Sequence, residues 1–337
     1  MFRRTLAAAL IVAVGAVLLI SSWPQLFGLG RSTFIAQVVS MRALAVTVGL
    51  IIVVALTLIA LISRSTRRFA ASIALIALIF CGVSAAVLAT RGFGGSGFDT
   101  EGPNDIRVLS WNTLGEAIPP EAIAALAQES DADIVTLPET TNEAGLTIAA
   151  AMKARGRPMW VYTVAYDHIS KARSTTLLIS AALGEYQVNT SRVTTAVLPS
   201  VVATPRDGSG PTIIAVHAVS PIVGEMAHWR ADLSWLKSAC AGSNVIMAGD
   251  FNSTVDHYAG LANSSGRTLG DCADAGLASG NGSVGTWPTM LPALLGTPID
   301  HVMTTQNWRV TGMRVVQSRD NYGSDHRPIL VQLTPAG

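Results

Sequence analysis

An aspartate and an asparagine stand one residue apart in segment 244–253, which has the sequence NVIMAGDFNS. Four apolar residues precede them and end at Gly249, a pattern that predicts a buried strand followed by a turn. Residues two apart in an extended chain point to the same side, so Asp250 and Asn252 would be presented together. An acid and an amide so placed can meet a cation and a phosphate; the alternative is a capping aspartate and a turn asparagine.

Five other apolar runs also end on polar side chains that suit phosphate chemistry. They end at Asn112, Glu139, His217, Asp300, and the adjacent pair Asp325 and His326. Taken singly, each residue has an ordinary structural alternative, such as a turn residue, a surface acid or a core histidine. The other four histidines do not share the pattern as clearly, and we assign structural roles to His168, His228, His257 and His301.

The elements that must position these residues begin at Asp105 and mix strands with helices. Strands are predicted at 106–111, 133–139, 160–165, 175–180, 187–198, 212–217, 245–250, 299–303, 314–317 and 329–333, and helices at 119–130, in the segment ending at 154, and at 225–238. Several strands follow one another without an intervening helix. This order favours a layered α/β sandwich over a purely doubly wound sheet.

Together these segments resemble the endonuclease/exonuclease/phosphatase superfamily, also called the DNase I-like fold. The matching strings are LSWNT (109–113), LPET (137–140), VHAVSP (216–221), GDFNS (249–253), PIDHV (298–302) and GSDHRP (323–328). They occur in the family's order and at roughly its spacing. The resemblance implies an α/β fold with a four-layer αββα sandwich, a site at one edge of two packed sheets, and metal-dependent hydrolysis of a phosphoester.

The resemblance also implies which residues bind the metal. Glu139 would be the main ligand, assisted by Asn112, with Asp325 nearby. Mg²⁺ prefers oxygen ligands and keeps several waters, so one or two carboxylates suffice. We therefore expect Mg²⁺ as the cofactor, with Mn²⁺ as the alternative.

The catalytic roles implied by the resemblance fall on five further residues. Asp250 would orient or deprotonate the attacking water, and Asn252 would donate a hydrogen bond to the phosphate. His326, held in its tautomer by Asp300, would contact a phosphoryl oxygen or transfer a proton. His217 would stabilise the transition state or protonate the leaving group. The sequence leaves open whether Asp250 or His326 is the general base.

The first 98 residues have a composition typical of a membrane domain. All 22 Asp and Glu residues lie at or after Asp99, whereas eight of the 23 Lys and Arg residues precede it. Apolar runs at about 6–23, 43–63 and 69–90 predict three transmembrane helices. The alternative for the first run is a signal peptide, but no small-x-small cleavage pattern follows it. We expect a membrane domain at 1–91, a glycine-rich linker at 92–104 and a catalytic domain at 105–337.

The basic residues predict how these helices are oriented. Arg3 and Arg4 precede the first run and three arginines lie in segment 64–68, whereas the loop between the first two runs holds only Arg31. Positive residues favour the cytoplasmic side, so the N-terminus is predicted inside. Three spans then place the catalytic domain outside. The predicted location is a bacterial cell membrane, with a multi-pass anchor and an extracytoplasmic catalytic domain.

Two cysteines, Cys240 and Cys272, lie in the predicted catalytic domain. A disulfide between them is allowed in an oxidising compartment, and two buried free thiols are the alternative.

Charge and the loop before Asp300 bear on the substrate. From Asp99 onward the chain has 15 basic and 22 acidic residues, which gives a net charge of −7, and only three of the basic residues are lysines. This balance argues against a broad phosphate-tracking surface, so no stable nucleic-acid partner is expected. Loop 285–298 is apolar and is predicted to form a lip beside the site, where it packs on the core or meets lipid.

Three hypotheses follow for the function, and none includes an assigned oligomeric state. The first is an extracytoplasmic phosphodiesterase or phosphatase that acts on a lipid-linked or envelope phosphoester. The second is an extracytoplasmic nuclease that degrades DNA or RNA. The third is a non-catalytic binding module on a membrane anchor, which the complete set of eight polar residues disfavours.

Overall fold

The structure, a computed structural model, describes residues 2–95, 97–189 and 194–336. It divides into two compact units, Met1–Thr90 and Arg91–Gly337. Each unit has its own buried residues and its own arrangement of elements. The six ordered strings of the sequence all fall in the second unit, so that unit holds the candidate site.

The first unit is helical. Its helices are α1 (Phe2–Ser22), α2 (Ile35–Ser40), α3 (Arg42–Ile62) and α4 (Arg67–Arg91), the last of which ends at the first residue of the second unit. Three of them, α1, α3 and α4, are long and apolar enough to cross a membrane. They coincide with the predicted runs and begin a few residues earlier, because arginines and other polar residues extend each helix beyond its apolar stretch.

The second unit contains two six-stranded sheets among the residues described. The first has the strand order β11-β12-β1-β2-β4-β3 and the second has the order β5-β6-β7-β8-β10-β9. The strands are β1 (Ile106–Ser110), β2 (Ile134–Pro138), β3 (Met159–Ala165), β4 (Ser174–Ser180), β5 (Tyr186–Val188), β6 (Val201–Pro205), β7 (Thr212–His217), β8 (Val245–Asp250), β9 (Ala273–Asp274), β10 (Asp300–Thr304), β11 (Trp308–Val315) and β12 (Ile329–Pro335).

Four helices accompany the sheets. They are α5 (Pro120–Glu129), α6 (Asn142–Ala154), α7 (Met226–Ala239) and α8 (Ala275–Ala278). Helix α5 begins with Pro120, whose missing N–H is no loss in a first turn. Helix α6 is capped by the Thr141 side chain, which accepts from the backbone of Ala144.

Successive side chains of a strand point to opposite faces of its sheet, and the apolar side chains on these faces form two apolar layers. One face of each sheet contributes to a shared core that includes Val108, Ile134, Ile213 and Ile246. The other face of the first sheet packs with α5 and α6 in a second cluster. Helix α7 buries Trp229, Leu233 and Leu236, as its helical spacing predicts. The result is the predicted four-layer α/β sandwich.

Two predicted strands differ from the observed ones. The prediction at 187–198 is right at 187–188, where β5 ends, and wrong at 194–198, which are not a strand; residues 190–193 lie outside the described residues. The next strand is Val201–Pro205 instead, and it pairs with β5 and β7. The strand predicted at 314–317 lies earlier, at Trp308–Val315, and a register shift between Val310 and Gly312 interrupts its pairing with β12.

The sheet topology brings the ends of several strands together. Strands β1 and β2 are parallel, as are β7 and β8, whereas β12 runs antiparallel to β1 and β10 antiparallel to β8. The carboxyl ends of the four parallel strands therefore lie at the same end of the sandwich as the starts of β10 and β12. We call this the site end.

Candidate active site

Three predicted residues lie side by side because of strand register. In the second sheet Asp250, the last residue of β8, is opposite His217 at the end of β7 and opposite Asp300 at the start of β10. All three side chains are buried. The register of one sheet thus places a histidine and two carboxylates within a single row.

Asn112 connects this row to the first sheet. Its Nδ2 donates to Glu139 Oε1 at 3.2 Å and to Asp250 Oδ2 at 3.1 Å. Glu139 follows β2 with a φ of 61°, and Asn252 follows β8 with a φ of 45°. Residues other than glycine adopt this left-handed region at a cost, and such residues cluster at functional sites.

His326 lies between the carboxylates of the second sheet. Its Nδ1 is 2.9 Å from Asp300 Oδ2, and its Nε2 is 3.8 Å from Asp250 Oδ2 and 3.9 Å from Asp325 Oδ1. Ser324 supports this position, since its hydroxyl donates to the carbonyl of Asn112 and accepts from the His326 backbone N–H. The loop before β12 is therefore bound to the end of β1.

Asn252 supports Asp250. Its backbone N–H donates to Asp250 Oδ1 at 2.8 Å, and its Nδ2 donates to Asp250 Oδ2 at 3.1 Å and to the Ala218 carbonyl at 2.9 Å. Both amide hydrogens of Asn252 are thus engaged. A hydrogen bond from Asn252 to a phosphate, as the sequence predicts, would replace one of these contacts.

Burial and charge shift the titration of the cluster. Burial, together with the Asp300 carboxylate, raises the pKa of Asp250 to about 7 against the opposing effect of His326. Burial lowers the pKa of His326, but Asp300 and Asp250 outweigh it and raise that pKa to about 10. Burial and the neighbouring His326 charge lower the pKa of His217 to about 3. His217 is therefore neutral, and its 3.9 Å approach to Glu139 is not an ion pair.

Two sets of residues are candidates to hold a metal ion. Asp250, Asp300 and His326 offer ligand atoms within 4.8 Å of one another. Their closeness has another explanation, because a protonated imidazole between two aspartates already balances the charge. The predicted set is Glu139, Asn112 and Asp325, of which Asn112 contacts Glu139 directly and Asp325 lies beside His326.

The predicted set fits a hydrated divalent cation chemically. The Glu139 side chain is 18% exposed, so water-bearing ions can reach it. Asp325 Oδ1 is buried and has no hydrogen-bond partner, as expected of an oxygen that awaits a cation or water. Oxygen donors of this kind suit Mg²⁺. Asn112 would have to turn its amide to ligate, because its Oδ1 accepts from the backbone of Leu114.

A supporting network around Glu139 was not predicted from the sequence. Glu116 accepts from the backbone N–H of Thr141 at 2.9 Å and pairs with Lys171 at 2.7 Å. The Thr113 hydroxyl donates to the Glu139 carbonyl at 3.0 Å. These contacts fix the turn after β2 from both sides. Because Glu116 lies in a loop without periodicity, no sequence pattern indicates its role.

The predicted lip contacts the site directly. In loop 285–298, Trp287 Nε1 donates to Asp325 Oδ2 at 2.7 Å, and the Thr286 hydroxyl accepts from the Asp300 backbone N–H at 3.1 Å. Arg327 is fully buried; it pairs with Asp320 and donates to carbonyls of the lip at Gly285, Pro288, Thr289 and Leu291. Trp287 therefore joins the cluster as a residue that the sequence did not single out.

The four remaining histidines lie outside the cluster. His301 Nδ1 is 2.7 Å from Asp274 Oδ2 and its Nε2 is 2.9 Å from the Ser253 carbonyl. His257 Nδ1 accepts from the Thr254 backbone. His228 and His168 are exposed. The contacts of His301 and His257 are of the structural kind predicted for them, whereas the roles of His168 and His228 stay predictions.

The comparison with protein families agrees with the geometry. The sequence profile of the Endonuclease/Exonuclease/phosphatase family matches residues 109–326, which is more than half of the chain and extends from β1 to His326. The chain belongs to this family. Its members are generally hydrolases of phosphoesters that depend on divalent metals. No curated protein sequence matches the chain.

Solved structures of low sequence identity share the fold. An endonuclease/exonuclease/phosphatase from Beutenbergia cavernae is 18% identical, with a TM-score of 0.52, and the match covers 69% of this chain and 72% of that one. D. rerio TDP2 complexed with a single-strand DNA product is 16% identical, with a TM-score of 0.50 and coverages of 68% and 99%. A mannosyl-6-phosphatase from Bacteroides thetaiotaomicron is 17% identical, with a TM-score of 0.47 and coverages of 68% and 99%.

Proposed function

We propose that this protein is a membrane-anchored, Mg²⁺-dependent phosphodiesterase or phosphatase that acts outside the cytoplasm on a lipid-linked or envelope phosphoester. Residues 1–91 form the anchor in this proposal, 92–104 the linker and 105–337 the catalytic domain. One observation carries the catalytic part. Eight polar residues from six separate segments form a single connected cluster at the site end.

The geometry favours Asp250 over His326 as the general base. Asp300 and Asp250 hold the His326 imidazole protonated, so it has no free lone pair with which to take a proton from water. The carboxylate of Asp250 is buried and oriented by Asn252, and its raised pKa suits proton transfer near neutral pH. Asp250 would accept the proton of the attacking water.

The two histidines would then act on the phosphoryl group. Imidazolium His326 would donate from Nε2 to a phosphoryl oxygen, while Asp300 holds Nδ1. Neutral His217 lies at the opposite side of Asp250, where it would bind the leaving oxygen or a second phosphoryl oxygen. A divalent cation on Glu139, Asn112 and Asp325 would supply charge neutralisation of the developing oxyanion.

The extracytoplasmic location has two independent supports. Arg3 and Arg4 lie in the first turn of α1, and three arginines in segment 64–68 lie at the junction of α3 and α4, which favours a cytoplasmic N-terminus and an outer second unit. Cys240 and Cys272 form a disulfide, with their Cα atoms 5.9 Å apart. Disulfides persist in oxidising compartments and are rare in the cytosol.

The substrate proposal rests on charge and on the membrane segments. The net charge of −7 from Asp99 onward and the small number of lysines disfavour a nuclease, since nonspecific nucleic-acid binding depends on basic side chains. An enzyme confined to a membrane meets lipid-linked phosphoesters at high local concentration. A lipid or envelope phosphoester is therefore favoured over DNA or RNA.

Hydrolysis by the purified full-length protein tests the catalytic proposal. With Mg²⁺, the protein in detergent should hydrolyse bis(p-nitrophenyl) phosphate or p-nitrophenyl phosphate, and Asp250→Asn or Glu139→Gln should lower kcat by about 10³-fold. His326→Ala is also tested. Its control is His228→Ala, which changes an exposed histidine outside the cluster. Full activity in both carboxylate variants would refute the assignment.

A substrate comparison separates the two hydrolase hypotheses. The full-length protein in nanodiscs is given phospholipid mixtures in one arm and single-stranded DNA or RNA in the other. Release of a phosphorylated headgroup or inorganic phosphate from lipid supports the proposal. Rapid nucleic-acid cleavage without lipid turnover would establish the nuclease instead.

A further inference from the structure

Exposed large apolar side chains in the second unit are concentrated at the site end. Seven of the eleven in the described part of the unit lie on loops that border the cluster, and we call these seven the apolar rim: Leu114, Ile169, Ile222, Val223, Met290, Leu294 and Tyr322. The other four lie on helices, on an outer strand or before the first strand. The described loops at the opposite end of the sandwich carry none.

The members of the rim are distributed over five loops. They lie on loops that follow β1, β3 and β7 or precede β10 and β12, so each loop is held by a different strand. Ile169 is 96% exposed and Met290 is 86% exposed. Contiguous exposed apolar surface on a soluble domain marks a site of interaction with protein or membrane.

The start of the second unit is bonded to the segment that leads into the lip. Gly282 N–H donates to the Arg91 carbonyl, Ser283 N–H to the Gly92 carbonyl, and Gly94 N–H to the Gly280 carbonyl. Segment 280–284 continues directly into the lip, which carries Met290 and Leu294. Arg91 is the last residue of the third candidate membrane span, and residues 92–94 follow it directly in sequence.

We propose that the apolar rim docks the second unit onto the lipid bilayer, with Met290 and Leu294 inserted among the lipids and the catalytic cluster facing the headgroups. A bilayer is the favoured occupant because three apolar helices already commit the chain to one, and because the lip begins beside residues that follow a span. This docking proposal extends the proposed function. It rests on that function in one respect, namely that the substrate resides in the bilayer.

The charges near the rim indicate which force drives docking. Lys171 pairs with Glu116, Arg173 with Asp167 and Arg319 with Glu129. Basic side chains that are already paired with acids contribute little attraction to anionic lipids. Docking therefore depends on burial of apolar side chains and should change little with salt or with anionic lipid content.

Site-specific fluorescence tests the docking without reference to catalysis. Cys240 and Cys272 are bonded and Cys81 is buried, so a cysteine introduced at Met290 takes the label. The full-length protein is reconstituted in phosphatidylcholine vesicles that contain nitroxide lipids. The control label replaces Gln306, an exposed residue of the loop between β10 and β11 at the opposite end.

The two labels should respond in opposite ways. Nitroxide lipids should quench the Met290→Cys label several-fold more than the Gln306→Cys label, and aqueous iodide should show the reverse order. Equal quenching of both labels by each agent would overturn the docking proposal. Protection of the Met290→Cys label from iodide without quenching by nitroxide lipids would do so too, and would indicate a protein partner or a second copy of the chain.

Charged substitutions connect docking to turnover. Met290→Asp with Leu294→Asp should lower the ratio of turnover on vesicle-borne phospholipid to turnover on a soluble diester by about tenfold or more. The matched control is Leu146→Asp with Trp160→Asp, which adds the same charges at exposed apolar residues outside the rim. An equal ratio in both double variants contradicts the proposal. Absence of all hydrolysis in the unsubstituted protein refutes the proposed function, while the labels still test docking.

Discussion

His326 and Asp300 form the best-defined pair of the cluster at the scale of single residues. Asp300 Oδ2 is 2.9 Å from His326 Nδ1, and both side chains are buried. A carboxylate in this position fixes both the tautomer and the ring orientation of a histidine. We therefore propose that Asp300 is a positioning residue that acts through His326.

Asp300→Asn should therefore lower kcat by about 10²-fold with little change in KM, because substrate contacts remain while the imidazolium loses its partner. Steady-state kinetics on a soluble diester measure both constants. Asp207→Asn, at an exposed aspartate of the loop between β6 and β7, serves as the control. A large rise in KM with unchanged kcat would contradict the positioning role.

His301 presents a second histidine–aspartate pair whose effect is on stability. Burial lowers the pKa of His301, but Asp274 and the Ser253 carbonyl outweigh it, and the net shift is upward. A group with a raised folded-state pKa contributes its full stabilisation below its unfolded pKa, about 6.5 for histidine. That stabilisation is lost as pH rises through the higher folded-state value.

His301→Gln should consequently destabilise the protein most at acidic pH. We expect a loss of about 1–3 kcal/mol in unfolding free energy near pH 5.5 and a smaller loss above neutrality. Thermal unfolding of both proteins between pH 5 and 9 gives the difference curve. A difference that does not vary with pH would show that His301 contributes only packing. His228→Gln, at an exposed histidine, is the comparison variant.

Among the elements, strand β8 depends on a glycine directly before Asp250, the proposed general base. Gly249 has a φ of 149°, and a Cβ on it would lie 2.0 Å from the Val216 carbonyl oxygen of the neighbouring strand. A backbone atom cannot move away as a flexible side chain can. The glycine therefore permits the close pairing of β7 and β8 that places His217 beside Asp250.

Gly249→Ala should separate these strands and impair both folding and catalysis. We expect a destabilisation of about 3 kcal/mol, at the upper end of the cost of overpacking, together with loss of hydrolysis in the fraction that folds. Thermal unfolding and specific activity are the measurements. Gly224→Ala is the matched control, since a Cβ there meets no atom within 4 Å. Equal stability of the two variants would contradict this account.

The elements also explain how far the sequence could predict this molecule. Asn112 and Glu139 follow buried strands, His217 and Asp250 end them, and Asp300 begins one. Each carries a local signal, because the apolar runs and the polar residues beside them are adjacent in sequence. Parallel pairing of β1 with β2 and of β7 with β8, and antiparallel pairing of β10 with β8, then bring these residues together. The sequence therefore predicts that these residues lie close together, and the structure places them so, while their catalytic and metal-binding roles stay predictions.

Other parts of the site depend on contacts between loops and have no local signal. Trp287 reaches Asp325 across 38 positions of sequence, and Arg327 holds the lip through backbone carbonyls, which every residue possesses. Strand β6 was not predicted, although Pro199 and Ser200 mark a boundary directly before it, and the predicted strand was placed at 187–198 instead. Such features are determined by tertiary packing, which overrides local propensity.

For the molecule as a whole, the disulfide connects structure to location. Cys240 follows α7 and Cys272 precedes β9, and both are fully buried, so the bond ties the end of that helix to the edge of the second sheet. Their sequence separation is 32 residues. A cross-link over a loop of this length contributes about 2–4 kcal/mol of stability by restricting the unfolded chain.

The orientation of the protein in its membrane therefore predicts the redox state of this pair. If the second unit lies outside the cytoplasm, Cys240 and Cys272 should be oxidised in intact cells that express the full-length chain. Alkylation of denatured protein should then modify Cys81 alone before reduction and all three cysteines after it. The double variant Cys240→Ser with Cys272→Ser should gain no further alkylation on reduction. Free thiols at both positions in intact cells would contradict the outward orientation, because a buried, favourably spaced pair oxidises readily wherever the compartment allows it.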